Sequence, residues 1–179
     1  MTAPLSLGAT IGIVGGGQLG RMLAMAAARL GYRTIVLEPQ ADCPAAQVAN
    51  RQIVAAYDDP AALDELAGAS AVVTYEFENV PVVAAEHLSR SAPVYPPARA
   101  LEVSQDRLSE KTFLNGIGIS TADFRPVEND QDLADALHAF GGSGILKTRR
   151  MGYDGKGQMV FRNMTTGGFD GTCASLGNV

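Results

Sequence analysis

Three stretches of this 179-residue chain carry side chains and glycines at spacings that could do chemistry. The first is Gly15-Gly16-Gly17-Gln18-Leu19-Gly20, a Gly-x-Gly-x-x-Gly run between a β-branched stretch and a series of helix formers. Glycines there allow a tight turn, and the following helix offers unpaired N–H groups and a positive dipole end to an anion. The spacing has the form of a dinucleotide fingerprint, yet it fits any phosphate-bearing ligand. Gln18 adds a side-chain amide beside the loop. The second stretch is Tyr75-Glu76-Phe77-Glu78-Asn79-Val80-Pro81. Its acids could simply open a helix, where they favour the first turn. Alternation instead sends Glu76 and Glu78 to one side and Phe77 to the core, which frees a carboxylate to accept from ligand hydroxyl or amino groups. The third runs from Lys147 through Gly152-Tyr153-Asp154-Gly155-Lys156-Gly157 to Gln158. Over 144–162, Lys147, Arg149, Arg150, Lys156 and Arg162 face one acid, Asp154, within a chain of net charge −5. A basic strand entering a glycine loop suits closure over polyphosphate, with backbone N–H groups lining an anion nest. The Walker A spacing is absent, and a solvated hairpin with scattered charges is the plainer reading.

These stretches need elements to position them. Thr10–Val14 reads as a buried strand, and Leu19, Met22, Leu23, Ala26, Ala27 and Leu30 recur at the helical period before Gly31. Arg33–Leu37 is a second strand, so the two form a βαβ unit with parallel strands. A strand at Gln52–Ala55, a helix from Pro60 to Ala67, a strand at Ala71–Tyr75, a helix at Pro81–Arg90 and an edge strand at Pro93–Tyr95 continue the alternation. The fold class is α/β: an open parallel, Rossmann-like sheet over roughly residues 8–97. Ligands of such sheets bind beyond the carboxyl ends of the strands, so the glycine loop, Glu38 and Glu76–Asn79 should share one rim.

Beyond Pro97 the pattern changes. Ala98–Ser104 and Asp106–Asn115 read as helices, the latter capped by Asp106. Thr121–Val127, Gly144–Arg149 and Gln158–Arg162 read as strands and Gln131–Phe140 as a helix. The expected organisation is a domain over 1–106, a smaller partial domain over 107–162 and a tail over 163–179.

Composition narrows the function classes. Fourteen Lys and Arg against nineteen Asp and Glu, with no Trp and 6% aromatics, argue against a nucleic-acid binder. No apolar run approaches a membrane span. Cys43 and Cys173 stand far apart without a secretory start, as in a cytosolic protein with reduced thiols. His87 and His138 are the only histidines, which argues against a His-based zinc site.

Four motifs appear in order: Gly-Gly-Gly-Gln-Leu-Gly-Arg-Met at 15–22, Tyr-Glu-Phe-Glu-Asn-Val-Pro at 75–81, Gln-Asp-Arg at 105–107 and Gly-Tyr-Asp-Gly-Lys-Gly-Gln at 152–158. Together they resemble the 5-(carboxyamino)imidazole ribonucleotide synthase family of the ATP-grasp superfamily, over roughly residues 9–162. The resemblance implies a pre-ATP-grasp domain followed by the beginning of an ATP-grasp domain. It implies that Gly15, Gly16, Gly17, Gln18, Leu19, Gly20 and Glu76 hold aminoimidazole ribonucleotide. It assigns ATP to Arg107, Lys147 and the loop Gly152, Tyr153, Asp154, Gly155, Lys156, Gly157 and Gln158. Tyr153, Asp154 and Lys156 match loop positions that reach the substrate and the reaction centre. The implied reaction is ATP- and bicarbonate-dependent carboxylation through carboxyphosphate, by a cytoplasmic homodimer. The basic loop would act as a lid that excludes water from a labile intermediate.

The family also uses Mg2+ held by carboxylates of a further lobe, and no paired Glu/Asn metal ligands follow Arg162. The sequence therefore reads as an amino-terminal piece that does not catalyse the reaction alone. Two further readings stay open: a formate-dependent glycinamide ribonucleotide transformylase-like enzyme, and a non-catalytic NAD- or nucleotide-binding module in which Glu38 holds a ribose.

Overall fold

The computed structural model describes residues 4–152, 155–164 and 171–176. Two compact units divide at Glu102 and Val103.

The first unit is built on a four-stranded parallel sheet. Its strands are β1 (Thr10–Val14), β2 (Arg33–Leu37), β3 (Arg51–Ile53) and β4 (Val72–Tyr75), in the spatial order β3-β2-β1-β4. Register runs from Thr10 opposite Arg33 to Val14 opposite Leu37, and from Ile11 opposite Val72 to Val14 opposite Tyr75. The chain steps outward through β2 and β3, then returns to lay β4 on the far side of β1. The order reverses between β1 and β4, which makes their carboxyl ends the place where an open α/β sheet parts to admit a ligand.

Alternation along the strands gives each face its own core. Ile13 and Val36 point to α1 (Gln18–Arg29), packing with Ala24, Cys43 and Ala45. Val14, Ile35, Leu37 and Val73 point the other way, onto Leu63 and Leu66 of α2 (Pro60–Ala69) and Ala84, Ala85 and Leu88 of α3 (Val82–Leu88). Burial on both faces explains why these strands read as continuous apolar runs. Each fully buried Leu among them contributes about 1.5–3 kcal/mol of transfer free energy. Asp59 caps α2 by accepting from Ala62 N–H at 3.0 Å, with Pro60 at the first helical position.

The expected edge strand at Pro93–Tyr95 is reduced to a single parallel bridge between Val94 and Val73. Pro93 has no N–H to extend the ladder. The chain then forms α4 (Ala98–Ser104), whose Leu101 closes the core against the sheet.

The second unit holds α5 (Arg107–Gly116), α6 (Asp130–Ala139), the antiparallel pair β5 (Gly144–Lys147) and β6 (Gln158–Phe161), and the short α7 (Thr172–Leu176). Leu133, Ala136 and Leu137 of α6 cover Leu146 and Phe161 on one face of the pair. Asp106 caps α5 as the sequence predicts, accepting from Leu108 and Ser109 N–H. Thr121–Val127, expected as a strand, is not one. It pairs with neither β5 nor β6, so its alternating side chains have no ladder to sustain them.

Candidate functional sites in the two units

In the first unit the glycine loop leaves β1 and enters α1 at the strand-order reversal. Gly15 takes φ +103°, and a β-carbon there would stand 2.4 Å from Cγ of Glu76. Glycine is needed both for the left-handed turn and for that approach. Glu76, one residue past β4, turns its carboxylate across the opening of α1. Its Oε1 accepts from Gly17 N–H at 3.1 Å and its Oε2 from Gly20 N–H at 3.2 Å. The carboxylate thus occupies part of the anion cradle that the sequence reserves for a ligand phosphate. It satisfies two helix-end donors and lies favourably against the positive end of the helix dipole.

What remains is a different site. Each Glu76 oxygen accepts one backbone donor and keeps a lone pair, so the half-buried group is a fixed pair of acceptors suited to hydroxyl or amino donors. Gln18 is exposed at the rim, and the N–H groups of Gln18 and Leu19 have no hydrogen-bond acceptor among the described residues. Glu78 is exposed and makes no hydrogen bond among the described residues, whereas Phe77 packs on the core as alternation predicts.

Glu38 does not offer itself to a ribose. Its Oε2 accepts both Gly16 N–H, at 2.9 Å, and the Tyr57 hydroxyl, while Oε1 accepts Gln40 N–H at 3.2 Å. A β-carbon on Gly16 would meet Cys43 Sγ at 2.4 Å and Glu38 Cβ at 2.7 Å, so the space beside the loop is already filled. Both facts oppose the NAD reading. Tyr57 is the residue that sequence reasoning missed here: Glu38 stands at the rim as expected, but bound to the loop and to Tyr57.

In the second unit Arg107 and the glycine loop meet. Arg107 Nη2 donates to the Gly152 carbonyl at 2.7 Å, and Arg107 N–H donates to the Arg149 carbonyl at 3.0 Å. Asp106, buried beside it, binds Arg149 Nη2 at 2.8 Å and lies 3.8 Å from Arg150 Nε. Burial pushes the Asp106 carboxyl up, but Ser109 N–H and the Arg149 guanidinium prevail and hold it below the usual carboxylate range. Thr148 lies under the loop: its N–H donates to the Gly157 carbonyl at 2.8 Å, and its buried Oγ1 has no hydrogen-bond partner among the described residues. A β-carbon on Gly157, which takes φ +66°, would stand 2.5 Å from that oxygen.

Cross-strand register puts Ile145 opposite Val160 and Lys147 opposite Gln158. All four side chains are exposed on the face turned away from α6. The result is a small apolar platform with an ammonium at one end. Lys147 has no hydrogen-bond or ion-pair partner among the described residues. Arg107 and Lys147 also line a cavity of about 540 Å³ whose walls include Phe124, Leu137 and Phe140. Cations beside apolar walls suit a base and its phosphates. Gly155 and Lys156 are exposed on the loop, and Tyr153 and Asp154 lie outside the described residues. Among the described residues no three His, Cys, Asp or Glu side chains gather as a metal site. No helix among them is long and apolar enough to cross a membrane.

The family model described as the ribonucleotide synthetase preATP-grasp domain matches residues 8–105, and one described as the ATP-grasp domain matches residues 112–168. N5-carboxyaminoimidazole ribonucleotide synthase of Brucella melitensis is 70% identical over 155 residues, covering 87% of this chain and 43% of that protein. The crystal structure of N5-carboxyaminoimidazole synthetase from Staphylococcus aureus complexed with ADP superposes with a TM-score of 0.85 at 43% identity, covering 89% of this chain and 43% of that one. That of the Aspergillus clavatus N5-carboxyaminoimidazole synthase in complex with ADP and 5-aminoimidazole ribonucleotide does so with a TM-score of 0.75 at 28% identity, covering 86% and 40%. The chain thus spans less than half the length of these relatives.

Proposed function

The chain belongs to the ribonucleotide synthetase preATP-grasp family, and on that premise we propose that it supplies the ribonucleotide-binding domain and the start of the ATP-binding domain of an ATP-dependent carboxylase. The substrates are 5-aminoimidazole ribonucleotide, bicarbonate and ATP. The observation that carries this reading is Glu76, held across the opening of α1 by Gly17 and Gly20 with a lone pair free on each oxygen.

In this reading Glu76 accepts from donor groups of the ribonucleotide, while Gln18 and the open N–H groups of Gln18 and Leu19 complete the rim. The β5–β6 face and its neighbourhood take ATP: Ile145 and Val160 lie under the base, and Lys147 and Arg107 neutralise phosphate charge. The glycine loop 152–158 closes over the phosphates, with Tyr153, Asp154 and Lys156 carried toward the reacting groups. Bicarbonate oxygen attacks the γ-phosphorus and ADP leaves, giving carboxyphosphate. Loss of phosphate releases CO2, which the exocyclic amine captures as a carbamate with loss of a proton. The protein's part is to neutralise charge and keep water away. Mg2+ belongs to the same reading, with no ligand assigned in this chain.

A cytoplasmic homodimer joined through the first unit is part of the proposal. Leu19, Met22 and Met25 of α1 and the adjoining Leu30, each at least half exposed, support it as an apolar face.

Titration of the 15N-labelled chain with 5-aminoimidazole ribonucleotide tests the reading. Saturable amide shifts at Gly17 and Gly20 are expected, and their absence at millimolar ligand would refute it.

A further inference from the structure

Glu38 and Tyr57 have no part in the reading above, yet they grip the loop on which it depends. Glu38 follows β2 and Tyr57 follows β3, and the parallel order β3-β2-β1 brings those ends beside the end of β1. The Tyr57 hydroxyl donates to Glu38 Oε2, and the same oxygen accepts Gly16 N–H at 2.9 Å. Gln40 N–H holds the other oxygen at 3.2 Å. The Tyr57 ring packs against Phe77 with centroids 5.6 Å apart and planes tilted by 58°. Phe77 in turn lies where a β-carbon on Gly15 would meet its Cδ1 at 3.1 Å. The Glu38 carboxylate therefore holds Gly16 directly and is itself held by Tyr57, whose ring also packs on the Phe77 that flanks Gly15.

We propose that Tyr57 and Glu38 are positioning residues that hold Gly16 so that Gly17 and Gly20 present their N–H groups to Glu76, which fixes the acceptor pair for the ribonucleotide. Neither touches the ligand. A half-buried phenol without an acceptor would lose free energy, and a phenylalanine would fill the same space, so the hydroxyl is there for its bond to Glu38. Burial, and then the Glu38 carboxylate, push that hydroxyl well above its ordinary range, so it stays a donor throughout neutral pH. This inference rests on the assignment of Glu76 to the ribonucleotide.

The test uses the full chain with Tyr57→Phe, Glu38→Ala and Glu38→Gln, read by amide hydrogen exchange and by calorimetric titration with 5-aminoimidazole ribonucleotide. In Tyr57→Phe, exchange at Gly16 and Gly17 should rise about tenfold while Ile13 and Leu66 keep their rates, and ribonucleotide affinity should fall about tenfold. Glu38→Gln, which keeps an acceptor, should recover part of what Glu38→Ala loses. Unchanged exchange at Gly16 and Gly17, an equal rise at Ile13 and Leu66, or unchanged affinity beside a loosened loop would each overturn the inference. A wild-type chain that takes up no ribonucleotide defeats the proposed function instead, and exchange at Gly16 and Gly17 then decides the relay by itself. Should Glu38→Ala fail to fold, Tyr57→Phe still decides the matter, because it removes one oxygen and keeps the ring.

Discussion

Gly17 N–H donates to Glu76 Oε1 at 3.1 Å across 59 positions of sequence, joining the turn after β1 to the end of β4 where the strand order reverses. Removing that carboxylate leaves the N–H groups of Gly17 and Gly20 without their acceptor. Glu76→Ala is expected to cost about 1–2 kcal/mol in urea unfolding and to abolish ribonucleotide binding. Glu76→Gln, with one carbonyl oxygen in place of two acceptors, should retain most of the stability and lose most of the affinity. Equal ribonucleotide affinity in Glu76→Ala and wild type would remove Glu76 from the site.

Glycines of this chain separate into those with room and those without. Gly68, inside α2, has nothing within 4 Å of a built β-carbon, and Gly68→Ala should stabilise the chain by about 0.5–1 kcal/mol. At Gly20 a β-carbon would stand 2.6 Å from the Gly15 carbonyl oxygen, which is backbone and cannot swing aside. Gly20→Ala is expected to destabilise by about 1–3 kcal/mol. Paired thermal melts of the two variants check the opposite signs.

Much of this architecture was legible in the sequence, because hydrophobic period and glycine punctuation report what each segment buries. The strand–turn–helix–strand opening and the cap at Asp106 follow from local patterns alone. Pro93–Tyr95 and Thr121–Val127 misled, since alternation reports a pleated preference and says nothing about whether a partner edge stands alongside. The glycine loop could be read as an anion cradle. That the chain's own Glu76 lies in it depends on parallel strand order, to which neither segment bears witness. Tyr57 is less legible still, sitting in a polar turn with no periodic signal. Its meaning comes only from β3 lying next to β2.

Lys147 stands exposed on the β5–β6 face with no ion-pair partner among the described residues, so its ammonium is available to phosphate. Lys147→Met keeps the aliphatic stem and removes the charge. It should weaken ADP binding about tenfold, the loss of one charge-assisted hydrogen bond, while thermal stability stays within about 0.5 kcal/mol. Calorimetry with ADP and melting curves measure the two together. A drop in stability as large as the drop in affinity would assign Lys147 to the fold instead.

Asp106 couples this second unit to pH. Its folded carboxyl titrates below the usual range, so the bound, ionised form contributes stability that is fully present above the ordinary aspartate value and fades as pH falls through the lowered one. The window therefore lies below about pH 4. Asp106→Asn keeps an oxygen to accept from Leu108 and Ser109 N–H and gives up the charge that meets Arg149. Arg149 is partly exposed, so solvent screening limits the loss at neutral pH to about 1 kcal/mol. Wild type and variant should differ by that amount at pH 7, and the difference should shrink as the pH falls below about 4, in thermal melts at fixed ionic strength. A constant difference from pH 7 down to pH 3 would mean that the carboxyl's charge does not act through Arg149.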